Sequence, residues 1–246
     1  MIVPIFQSDG YVPAGGSPGV APTVTHFENT EWSNVDGSGG RMPAGGPTAW
    51  SCNVNDVLVG VWTWKNSNNT DNLTGFQVDP FGGTYAASGG WSVAFNNVYH
   101  DGSLSYMVAV ATAVVTTGGT VQIETSGYTF SAGTTRKAHA LLCISGCDTS
   151  GSRINATNSA NYSASPAVTG NAATGGAGIM IAVTRANDSS SVTEVTPWDS
   201  GIIANAGFGA CDYQSVTTNT TDQGEWTLGS AVNGFGVIVT IKSSTP

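Results

Sequence analysis

The chain has 246 residues, of which only 9% are charged and 40% hydrophobic, and its formal net charge is −9. Seven Lys and Arg against sixteen Asp and Glu exclude the clustered positive charge that a nucleic-acid groove or an anionic membrane requires. Glycine is abundant at 33 residues, and Ser, Thr and Asn fill much of the remainder, a composition suited to strands joined by turns.

Residues 1–22 stand apart. Pro4, Pro13, Pro18 and Pro22 punctuate them, removing amide donors and favouring extended chain. The tip Ile2-Val3-Pro4-Ile5-Phe6 is apolar, which a solvated tail avoids. The segment reads as an arm that docks on a neighbouring subunit through Ile2, Val3, Ile5, Phe6 and Tyr11. It lacks a basic start and a long apolar run, so no secretory signal is read and synthesis in a cytoplasm is expected.

A strand is predicted from Val24 to Trp32, then a Gly/Pro-rich loop from Gly37 to Pro47. Asp56 to Trp64 is a short apolar run bounded by turn residues, as in a strand buried on both faces. An Asn-rich polar loop, Lys65–Asn72, follows. Further strands are predicted at Trp91–Phe95, Leu104–Val115, Thr120–Glu124 and Lys137–Ser145. Asp148 to Asn171 reads as polar connection. Strands resume at Gly178–Thr184, Phe208–Thr217, Glu225–Leu228 and Gly234–Lys242. No run has the helical period with caps, and none is long enough to span a membrane as a helix.

The second part echoes the first. Val57-Leu-Val-Gly-Val matches Ile179-Met-Ile-Ala-Val, and Gly90-Trp91 matches Pro197-Trp198. Tyr106-Met-Val-Ala-Val is set against the stretch beginning Ala210-Cys-Asp-Tyr, and Gly118 to Ile123 against Gln223 to Leu228. Ala138-His-Ala-Leu-Leu-Cys-Ile matches Phe235-Gly-Val-Ile-Val-Thr-Ile. The expected fold is all-β: one antiparallel β-sandwich or jelly-roll-like domain, residues 23–246, with internal pseudo-duplication and an extended N-terminal arm. The half-repeats are placed at about residues 50–147 and 172–243, each too small to hold a core alone.

Chemistry is sparse. His139 alternates within a strand, and His100-Asp101-Gly102 reads as a turn. No Gly-x-Ser-x-Gly elbow and no calcium loop occurs, and Cys143-x3-Cys147 has no second pair to complete a zinc site. The four cysteines, Cys52, Cys143, Cys147 and Cys211, read as buried thiols. No enzyme, metal or cofactor is expected. Trp62 and Trp64 share one strand face. They read as core, or else as an aromatic platform for a glycan, with Asn66 and Asn68 supplying hydrogen bonds.

The series Asn55-Asp56-Val-Leu-Val, Gly90-Trp91, Tyr106-Met-Val-Ala, Leu141-Leu-Cys-Ile-Ser-Gly-Cys-Asp148, Pro197-Trp198 and Gly234-Phe-Gly-Val-Ile-Val-Thr-Ile-Lys242 resembles tailed-phage virion-associated β-sandwich proteins over about residues 50–243. Asn55-Asp56 stands where that group has Gly-Asp, and Ile144-Ser145-Gly146 where it has Tyr-Arg-Gly. The resemblance implies a structural component of a virion and no reaction. The expectation is a homotrimeric capsid decoration or cement protein that binds the major capsid protein or other virion proteins. The alternative is a tail or tail-fibre component that binds host glycans.

Overall fold

The computed structural model describes residues 19–33, 41–42, 50–129, 136–187, 192–194, 198 and 209–245. Every element among them is a strand or turn, and all paired strands are antiparallel. The first part contributes β1 (Thr23–Ser33), β2 (Arg41–Met42), β3 (Ser51–Cys52), β4 (Val57–Asn66), β5 (Gln77–Pro80), β6 (Ala86–Ala87), β7 (Ser92–His100), β8 (Ser105–Thr117), β9 (Gly119–Thr120), β10 (Ile123–Ser126) and β11 (Arg136–Ser145). The second contributes β12 (Ile154–Tyr162), β13 (Ala167–Val168), β14 (Ala172–Ala173), β15 (Gly178–Ala186), β16 (Val192–Glu194), β17 (Gly209–Val216), β18 (Thr221–Asp222), β19 (Glu225–Leu228) and β20 (Gly234–Lys242).

The pairings repeat one for one. The first part builds a large sheet β1-β11-β4-β8, a small sheet β2-β10-β5 and a ribbon β3-β9. The second builds β12-β20-β15-β17, β13-β19-β16 and β14-β18. Only β6 and β7, which both pair with β8, lack counterparts among the described strands.

Register confirms the match. Val57 faces Ile144 and Val114 across its two neighbours, as Ile179 faces Ile241 and Ser215. The edge strands carry the same irregularity, between Val24 and His26 in β1 and between Ile154 and Ala156 in β12. A bulge at one place in two strands is a feature of the shared design.

Three aspects correct the sequence reading. Each repeat begins two strands earlier than expected, at β1 and β12. Strand β12 lies within the stretch read as polar connection, because Asn155, Thr157, Asn158 and Asn161 face solvent on a sheet edge. The match of Tyr106 with Ala210 is three residues out of step: register sets Val110 against Cys211. An odd slip turns every side chain to the wrong face.

The two large sheets meet across one central core. Val57, Val59 and Val61 of β4 and Val108 and Val110 of β8 pack with Ile179, Ile181 and Val183 of β15 and Val237 and Val239 of β20. Each large sheet also buries its outer face. Leu58, Trp62 and Trp64 lie under Phe76, Val78 and Ile123, while Met180, Ala182 and Ile238 lie under Ala167, Trp226 and Leu228. The fold is therefore layered four deep, with each small sheet capping a large one. This explains why β4, β8 and β15 read as continuous apolar runs, not as alternating ones.

Candidate functional site

Trp62 and Trp64 are core residues, the first of the two readings, and the alternative aromatic platform is closed. Trp62 and Trp64 do share a face of β4, but they are 2% and 1% exposed, with Phe76 against both rings. Trp91 adds an edge contact to Trp62, and Tyr128 packs on Trp64. A sugar ring has no access to either indole in this conformation. Asn66 is fully buried, and its side-chain oxygen accepts the Asn68 amide. The Asn68 side-chain oxygen accepts from the Thr70 amide and hydroxyl. These asparagines fold the β4–β5 loop in the local manner typical of Asn.

Among the described residues, the nearest approach to a catalytic pair is His100 Nδ1 beside Ser105 Oγ, at 2.9 Å. Ser105 is fully buried, and its hydroxyl donates to the Asn68 carbonyl at 2.5 Å. A nucleophile must be reachable by substrate, so this pair fastens the β7–β8 turn to the β4–β5 loop. Asp101, between them in sequence, faces elsewhere. It accepts from the Ser103 and Leu104 amides, from Tyr106 Oη at 3.0 Å and from Asn233 Nδ2 at 3.0 Å. Burial pushes its carboxyl up, but these four hydrogen bonds outweigh it and hold the group below the usual range. Asp101 is thus a clasp between the two halves, and nothing in the linear sequence joined it to Asn233.

The cysteines are free and buried, as expected. Burial pushes the Cys143 and Cys147 thiols up to about 12, and Cys52 and Cys211 also upward. Cys143 donates its thiol hydrogen to Asp56 at 3.2 Å. Among the described residues, no group of three or more His, Cys, Asp or Glu could hold a metal ion.

His139 is 6% exposed, and burial, reinforced by the charge of Lys137, lowers its pKa to about 3. The folded value lies below the unfolded one, so protonation favours the unfolded chain. This contribution to stability is intact above roughly pH 6.5 and is lost as pH falls from there towards the folded value. The urea midpoint is expected to drop between pH 7 and pH 5. His139→Leu is expected to flatten that drop, as followed by urea titration at each pH.

The arm residues Ile2, Val3, Ile5, Phe6 and Tyr11 lie outside the described residues; the root of the arm lies within them. The Gly19 amide donates to the Thr217 carbonyl at 2.9 Å, and Ser243 Oγ donates to the Val20 carbonyl at 2.6 Å. Pro22 is buried, while Val20 is 64% exposed. This root sits at the seam between the repeats. Cys147 bridges Ser243, the Ser244 amide donates to the Gly146 carbonyl, and the Asp148 amide donates to the Lys242 carbonyl. The repeat match carries Gly146 onto Ser243 and Cys147 onto Ser244. These residues pair antiparallel with each other, so the pseudo-two-fold axis passes through this bridge. The sequence marked the arm by its prolines but gave no sign of where it is tied.

No family model, no curated protein and no solved structure matches the chain.

Proposed function

We propose that the protein is a structural component of a tailed-phage virion, acting as a capsid decoration or cement protein without catalysing a reaction. The observation that carries this reading is the tie between arm root and seam. Gly19 and Val20 are bonded to Thr217 and Ser243, where both halves meet, so a load on the arm passes into the shared core. A four-layered body with so few charges suits a rigid weight-bearing block. The resemblance described above supplies the setting. A protein that binds only the assembled shell stabilises that state by mass action, and a symmetric lattice favours a symmetric oligomer, here a trimer. The partner is then the major capsid protein or another virion protein, and the location is the virion.

A cryo-EM reconstruction of the particle encoded with this gene tests the reading. Density for the sandwich is expected on the head lattice, with residues 1–18 lying against a neighbour. Density on the tail, or absence from the particle, would overturn it. The glycan-binding alternative loses its platform with the burial of Trp62 and Trp64.

A further inference from the structure

The two large sheets end in four edge strands, and the four are not alike. The first sheet ends at β1 and, beyond β8, at β7 with the short β6; the second ends at β12 and β17. Among the described residues no strand lies beyond β1, β7, β12 or β17. Phe27 of β1 lies against Tyr213 of β17, so these two edges share one side of the sandwich. Strand β7 lies against β12 on the other side, where Phe95 and Tyr99 reach Phe235 of the neighbouring β20. The first side is charged: β1 carries Glu28 and Glu31, and β17 carries Asp212. The second is not. Strands β7 and β12 are both nine residues long, and neither contains Asp, Glu, Lys, Arg or Pro.

Register shows that the charge was exchanged position for position. Glu28 pairs with Leu141 and Glu31 with Ala138, while Asn158 pairs with Ile238 and Asn161 with Phe235. Since Ile144 matches Ile241, Leu141 matches Ile238 and Ala138 matches Phe235. Asn158 and Asn161 therefore stand where the twin strand has Glu28 and Glu31. Edge strands are commonly guarded by charge or proline, and β7 and β12 have neither. Their amides are met instead from within the strand. Asn97 Oδ1 accepts the Val98 amide, and Asn158 Oδ1 accepts the Ser159 amide, both at 2.8 Å. In an antiparallel ladder alternate amides face outward, and these two point away from β8 and β20. Val93 adds an exposed apolar side chain to β7.

We propose that β7 of one copy of the chain pairs antiparallel with β12 of the next, joining copies edge to edge through their uncharged side. Copies with a net charge of −9 repel one another, and on this side two of them meet without opposing carboxylates in the strands. The two edges are matched in length, and their ends are complementary in charge. Asp101 directly follows β7 and Arg153 directly precedes β12. Antiparallel pairing of these unlike strands brings the Asp101 end of one copy to the Arg153 end of its neighbour; pairing of two like strands does not. The Val98 and Ser159 amides then donate to carbonyls of the partner strand, so main-chain hydrogen bonds supply the affinity. Each copy offers one edge of each kind, so the contact is heterologous and closes into a ring. The inference rests on the reading above only for the number of copies in that ring.

The test uses the purified full-length chain without any virion. Sedimentation equilibrium is expected to show self-association. Ser159→Pro removes an outward amide of β12 and leaves its ladder with β20 intact. Asn96→Pro does the same on β7, where Asn96 is exposed and alternates with Val98. Each is expected to weaken association at least about tenfold. Mixed in equal amounts, the two variants are expected to form a one-to-one complex, because the intact β7 of the first meets the intact β12 of the second. Asn161→Glu, which returns the carboxylate of the twin position to an exposed site, is expected to weaken association likewise. It decides the matter should a proline variant fail to fold. A monomeric wild-type chain, unchanged association in Asn161→Glu, or no complex between two folded proline variants would overturn the proposal. Failure here leaves attachment to a capsid standing, since that is read from a reconstruction.

Discussion

Replacing Gly60 by alanine is expected to cost about 3 kcal/mol of stability, near the upper end for overpacking a core. The Trp62 ring lies across Gly60, and a Cβ there would enter the indole. Trp62 is held by Phe76 and Trp91, with Leu58 and Met107 in the same core, so it has no free space to move into. The twin position is Ala182 of β15, where the equivalent of Trp62 is Thr184. In that half Trp226, from the small sheet, covers the strand instead, and it rests against Gly224. Each half thus lays one indole of its outer core over a glycine. Urea unfolding checks the cost. An unchanged midpoint for Gly60→Ala would show that the indole does not lie where described.

Phe235→Ala is expected to cost about 3–5 kcal/mol, the usual range for emptying a fully packed aromatic site. Phe235 is 3% exposed and lies between the sheets against Phe95 and Tyr99 of the first half. The loss is therefore not confined to the second half. Trp62 and Trp64 report on the first half and Trp226 on the second. Their fluorescence is expected to change at one lowered urea midpoint. Two separate midpoints would mean that the halves do not depend on each other.

Much of this fold was legible because its signals are local. Strand β4 announced itself by eight apolar or small residues, Val57 to Trp64, between turns, and β20 by its likeness to β11. The pairing of Val57 with Ile179 and of Ile144 with Ile241 could be read from the apolar pattern alone. What was hidden depends on contacts far apart in the chain. Strand β12 is polar because it is an edge, and a polar run carries no periodic apolar signal. The four layers could not be inferred, since Phe76, Val78 and Tyr85 sit in short segments that look like loops. The bonds of Asp101 to Asn233 and of Gly19 to Thr217 join residues that only the folded topology brings together.

One claim underlies the rest: two matched halves form a single body around a shared core, and the arm is tied to their seam. Differential scanning calorimetry of the full-length chain tests it most directly. The account predicts one transition, with the calorimetric enthalpy equal to the van't Hoff enthalpy, as for a single cooperative unit. Two resolved transitions, or a calorimetric enthalpy about twice the van't Hoff value, would contradict it.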